Sequence, residues 1–165
     1  MVPENRISQQ TDIVPPRDDG FSELFASLAG EWQLIREISD GARFEGTGRF
    51  FTVSESSYRL EETGQLLLQD NRTLSAAREW QWISTGDCNL EIRYPVAHGG
   101  ARYHLVNLAF ATNSTEKYWH GSASHDCGKD VYVGSYRLAP DCLDISQDIQ
   151  GPQKNLMVKS RFARR

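Results

Sequence analysis

Residues able to do acid–base or nucleophilic work are sparse in this chain. The stretch "SASHDCGKDVYVGSY" (122–136) holds His125, Cys127 and Asp130 within six positions. Two side chains two apart on a strand share a face at about 6–7 Å. A thiolate–imidazolium pair between His125 and Cys127 therefore needs both rotamers to converge, and nothing upstream supplies an oxyanion hole. The simpler reading makes Cys127 a small buried apolar residue. A metal site would draw on His104, His120, His125 and Cys127. Their spacing matches no zinc signature, and residues 120 and 125 fall on opposite faces of one strand. No metal is expected. No cofactor motif is present, and no local motif supports a single-histidine heme site.

A second constellation is more coherent. In "EWQLIREI" the period is two, so Arg36 shares the face of Trp32 and Leu34. A lone buried guanidinium costs several kcal/mol. Glu62 of "YRLEET" has the matching phase and is its natural partner. Arg78 shares a strand face with Trp80 and Trp82 in "AREWQWIS". This predicts a buried ion network that sets register, a polar floor that grips an anionic or carbonyl-bearing ligand, or charges exposed to solvent at a barrel mouth. Trp80, Trp82, Tyr132 and Tyr136 are the rings expected to wall such a site, with Lys154 of "GPQKN" at its rim. If the site is catalytic, His104 or His125 serves as acid or base, since unperturbed histidine titrates near neutrality. Glu62 then stabilises developing charge.

The elements that position these residues follow from patterning. Residues 1–19 are polar, carry three prolines and show no periodicity, and read as a disordered arm. Residues 20–165 read as one domain. "FSELFASLAG" (21–30) has Phe21, Leu24, Phe25 and Leu28 at helical spacing and stops at Gly30. From there the period is two, interrupted by "SDGA", "STGD", "HGG", "CGKD", "LAPD" and "QGPQKN". About nine or ten short strands with no second helix predict a sandwich or barrel. The glycines at 46, 48, 121 and 134 suit the bends of a small barrel, with the helix plugging one end.

Totals bound the function. The 165 residues carry a net charge of −4 and a pI near 5.6, against a nucleic-acid binder. No apolar run approaches the roughly 18 residues of a spanning helix. Three cysteines, Cys88, Cys127 and Cys142, make an odd count. With no apolar leader, they predict free thiols and a cytoplasmic setting.

Gly-x-Trp in "LAGEWQLIREI", after a short helix, resembles the first signature of the calycins, the lipocalins and their relatives. There the tryptophan packs at the closed end against an arginine of the last strand, a place open to Arg161, Arg164 or Arg165 of "KSRFARR". "W-x-L-x-R-x-I", "E-x-G" (Glu62, Gly64), "R-x-W-x-W", "Y-H" (Tyr103, His104), "H-x-C-x-x-D-x-Y-x-G-x-Y" and "G-P-x-K" together resemble one calycin-like family, domain of unknown function 6314. That family tends to carry Asp-Gly-Arg where Gly99-Gly100-Ala101 stands here, and Thr and Tyr in place of Ser160 and Phe162. The resemblance implies an antiparallel up-and-down barrel of about 8–10 strands behind a short N-terminal helix. It implies no known reaction.

Two functions follow as expectations. One is binding of a small hydrophobic or aromatic molecule that bears a polar group, held by Arg36, Arg78, Trp80, Trp82, Tyr132, Tyr136 and Lys154. The other is cofactor-independent isomerase, cyclase or lyase chemistry in secondary metabolism, run by His104, His125 and Glu62. The expected partner is that small molecule, with neither nucleic acid nor membrane and a homodimer left open. A domain with a filled interior is the third alternative.

Overall fold

In a computed structural model, residues 20–164 are described; the proposed N-terminal arm lies outside them. Strand dominates. A short helix α1 (Phe21–Ala26) precedes eleven strands: β1 (Gly30–Ile38), β2 (Arg43–Ser54), β3 (Ser57–Leu67), β4 (Thr73–Gly86), β5 (Asn89–Arg93), β6 (Arg102–Asn107), β7 (Ala109–Thr112), β8 (Lys117–Cys127), β9 (Asp130–Leu138), β10 (Cys142–Gln150) and β11 (Asn155–Ala163). All neighbours are antiparallel, in the order β6-β5-β4-β3-β2-β1-β11-β10-β9-β8-β7. This is the antiparallel barrel that the family resemblance implies, with one strand more than the upper count. The run "ARYHLVNLAFA" breaks at Leu108, whose N–H turns aside to Cys88 O at 2.9 Å. Its first part then pairs with β5 and its second with β8. One run thus crosses from one end of the sheet to the other and closes the barrel. Gly121 permits the crossing, since a Cβ there would sit 2.3 Å from Asn107 O.

Alternation sorts the side chains. Trp32, Leu34, Phe44, Phe50, Leu60, Trp82, Leu90, Leu138, Leu143 and Phe162 point inward and are buried. At one end α1 plugs the barrel with Phe21, Leu24 and Phe25, and Phe25 meets Tyr58 with ring centroids 5.0 Å apart. Gly30 does not stop the helix as expected. The helix ends at Ala26, where Ser27 Oγ donates to Leu24 O, and Gly30 opens β1 at φ 109°. The left-handed turn is needed to swing the chain from the plug into the wall.

The tryptophan–arginine clasp at this closed end is present. Trp32 Nε1 donates to Leu28 O at 2.9 Å. The Arg164 guanidinium lies 4.2 Å from the Trp32 ring and donates to Ala29 O and Ser27 O. Arg161 points outward instead and grips Asp144 with two hydrogen bonds, while Arg165 lies outside the described residues. Arg164→Ala removes one cation–π contact and two hydrogen bonds to carbonyls beside the plug. It is expected to cost about 1–2 kcal/mol, read as a lower urea midpoint at unchanged slope.

Candidate functional site

Opposite the plug the barrel is open. The mouth chamber has a volume of about 360 Å³, and a narrow void of about 30 Å³ lies beneath it. Between them sits a charged floor drawn from three strands. Glu62 is directly opposite Arg78 in the β3–β4 register. Its Oε2 accepts from Arg36 Nη2 and Arg78 Nε, each at 2.9 Å, and its Oε1 accepts from Arg78 Nη2 at 3.3 Å. Arg36 Nε donates to Ser160 Oγ at 2.7 Å. Arg36 and Glu62 are buried, whereas the Arg78 side chain is 40% exposed. Burial lowers the Arg36 pKa, an effect that Glu62 opposes and the charge of Arg78 reinforces.

The walls are aromatic. Arg78 lies 4.9 Å from the Trp80 ring. Trp80 meets Tyr94 at 5.3 Å and Tyr103 at 5.0 Å, and Tyr103 meets His125 at 5.0 Å. His125 stacks on Tyr132 at 5.4 Å. This chain of rings fills a gap in the sheet. β4 pairs with β5 only over Gln81–Gly86, and β8 pairs with β7 only over Lys117–His120. On the open half, side chains rather than backbone join β4 to β8. Outside the gap lies a groove of about 620 Å³ between β3–β4 and the segment Tyr94–His98, and Arg78 and Trp80 line it too.

Tyr103 enters this bridge through a bulge. Ile92 pairs with His104 but Arg93 pairs with Arg102, which leaves Tyr103 as the extra residue. Consecutive residues Tyr103 and His104 are therefore both buried inside, which a strict period of two forbids. Strict alternation gave no reason to place Tyr103 in the site. Tyr94 and Gln147, which also line the chamber, carried no signal beyond their strand phase.

His104 sits deeper. Its Nδ1 is 2.5 Å from Tyr136 Oη, and its Nε2 is buried without a hydrogen-bond partner among the described residues. Burial lowers its pKa to about 4 and raises that of Tyr136. The imidazole is thus neutral at pH 7. Gly134 makes its seat: a Cβ there would lie 2.6 Å from His104 Cε1.

The expected site residues separate as follows. Arg36, Glu62, Arg78, Trp80 and Tyr132 meet around the chamber. Trp82 and Tyr136 line the void below it, where Trp82 packs on Phe50 at 5.1 Å. Lys154 is at the rim, 3.4 Å from Asp130, and Tyr132 and Asp130 raise its pKa. His125 faces inward with Nδ1 buried and unpartnered. Cys127 is exposed rather than buried, because it lies at the hairpin end opposite Asp130. Among the described residues Cys88, Cys127 and Cys142 form no disulfide. His120 points away from His125, as the period predicts. Among the described residues no group of three or more His, Cys, Asp or Glu side chains is placed to hold a metal ion, and no helix is long and apolar enough to cross a membrane.

A plugged, antiparallel barrel with an open aromatic chamber over an internal ion network places the protein among the calycin-like β-barrels. The chain belongs to the family of unknown function DUF6314, which matches residues 28–164. No curated protein matches it. Among solved structures it is similar to Rv2717c from M. tuberculosis, at 14% identity and a TM-score of 0.55, covering 93% of this chain and 99% of that one. It is similar to the S-type phycobiliprotein lyase CPES from Guillardia theta, at 11% identity and a TM-score of 0.53, covering 88% and 92%. It is also similar to EF1p2_mFAP2b bound to DFHBI, at 13% identity and a TM-score of 0.50, covering 87% and 98%. These likenesses are of fold.

Proposed function

We propose that the protein binds a small hydrophobic or aromatic molecule bearing a polar group, in the chamber at the open end of the barrel. The observation that carries this reading is the position of the Arg36–Glu62–Arg78 network. Charged groups buried only to hold register would be sealed by packing. Here Arg78 is half exposed beneath a chamber of about 360 Å³, within the size range of small-molecule sites. The rings of Trp80, Tyr94, Tyr103 and Tyr132 offer apolar faces, and the guanidinium groups offer fixed donors. Support from the neighbours is limited to the fold, one of them being a phycobiliprotein lyase and one being bound to DFHBI. A cytoplasmic setting fits three cysteines that form no disulfide among the described residues.

The test is titration with the neutral fluorophore N-phenyl-1-naphthylamine. Saturable enhancement with one site per chain is expected. Ala76 lines the chamber beside the unpaired edge of β4, so Ala76→Trp fills the space without disturbing the ion network. It should weaken the probe at least tenfold at an unchanged melting temperature. Absence of saturable binding in the wild type would sink the reading.

The second reading is proton-transfer chemistry on the same kind of molecule, with isomerase, cyclase or lyase outcomes. It is favoured by the short His104–Tyr136 contact and the unpartnered nitrogens of His104 and His125. With a pKa near 4, His104 enters such a cycle unprotonated, as hydrogen-bond partner or weak base.

A further inference from the structure

We infer that the chamber is matched to a monoanion, a flat apolar molecule whose single negative head group sits on Arg78. This rests on the chamber being the ligand site. The argument begins with charge. The ionised side chains lining the chamber and the void beneath it are Arg36, Glu62 and Arg78, two cations against one anion. At the rim Lys154 and Asp130 cancel one another. One positive charge is left over, and it falls on Arg78, whose side chain is 40% exposed and therefore open to an anion from solution.

The geometry says where the balancing charge goes. Both carboxylate oxygens of Glu62 are already engaged by the two arginines, which holds the guanidinium groups in place before any ligand arrives. Arg36 is also tied to Ser160. The Nη1 group of Arg78 makes no hydrogen bond among the described residues, and its side chain is the exposed member of the three. Trp80 lies against the guanidinium and keeps its fork flat. A carbonyl could use those donors but would leave the excess charge standing. A carboxylate satisfies both, through charge-assisted hydrogen bonds. A dianion would reverse the imbalance rather than remove it. The depressed pKa of Arg36, due first to burial and further to Arg78, is relieved by an anion at the same place. Arg78 and Trp80 also line the outer groove, but Glu61 and Glu79 line it with them, so the head group lies on the chamber side of Arg78 and the apolar body extends along the ring wall.

The test is calorimetric titration of the wild type with 2-naphthoate and with 2-naphthamide, which differ in charge and little in shape. Naphthoate is expected to bind at least tenfold more tightly, and only its affinity should fall as salt is raised. Arg78→Gln leaves Arg36 paired with Glu62; it should erase the preference while retaining affinity for the amide. Arg78→Lys should restore part of it. Equal affinity for the two compounds, or a preference that survives Arg78→Gln, overturns the monoanion inference and leaves the chamber intact as a ligand site. Failure of the wild type to bind naphthoate overturns the monoanion inference where N-phenyl-1-naphthylamine still binds, and overturns both readings where that probe is excluded too.

Discussion

Glu62→Gln is expected to destabilise the protein by about 3–5 kcal/mol, the usual cost of removing one partner from a buried ion pair. Glu62 is 3% exposed and, among the described residues, is the sole carboxylate paired with both Arg36 and Arg78. The amide keeps shape and one acceptor but removes the charge. Two guanidinium groups would then face one another across a site that water reaches only from the Arg78 side. At roughly 2–4 °C per kcal/mol for a chain of this size, the melting temperature should fall by about 6–20 °C. The triple replacement of Arg36, Glu62 and Arg78 by Met should recover most of the loss, because apolar side chains of similar length need no compensation. Thermal melts of the two variants decide the matter. A single-variant loss below about 1 kcal/mol would mean that solvent already screens the network as it does a surface pair.

Stability should also fall on acidification, with His104 as its main histidine source. The unfolded chain protonates this histidine near its ordinary pKa of 6.5, whereas the folded chain resists until about 4. The folded value is depressed, so the unfolded state binds more protons in between. The contribution is complete above about pH 6.5 and drains away as pH falls toward 4, at up to ~1.4 kcal/mol per pH unit. The whole loss is on the order of 3 kcal/mol. His104→Gln removes the proton site while leaving a polar side chain opposite Tyr136, so its urea midpoint should depend less on pH between 7 and 4.5. A variant with the slope of the wild type would refute the assignment.

Much of the site was legible because it rests on parity. Once Trp32 and Leu34 face inward, Arg36 follows, and the same count brings Glu62 and Arg78 to one level. Parity does not say how deep a residue lies. Trp82 and Trp80 are equivalent in sequence, yet Trp82 packs under the floor against Phe50 and Trp80 walls the chamber. Depth follows from the tilt and stagger of strands around a closed sheet, a property of the whole barrel. Tyr103 escaped for another reason: the bulge beside Arg93 resets the phase by one residue. Cys127 was misplaced because a strand's last residue keeps its face but loses its cover.

The sequence by itself determined the all-β class, the plugging helix, the Trp32 signature and the inward phase of the Arg36, Glu62 and Arg78 side chains. The class, the helix and the phase depend on local periodicity and turn chemistry, which neighbouring residues carry among themselves, and the Trp32 signature on the family resemblance. Only the tertiary structure decided that Arg164 clasps Trp32, that β6 and β7 cross at Leu108 to close the barrel, and that the β4–β8 gap is bridged by rings. It alone left Arg78 at the bottom of an open chamber. These depend on which distant strands meet, and at what stagger, when the sheet closes on itself.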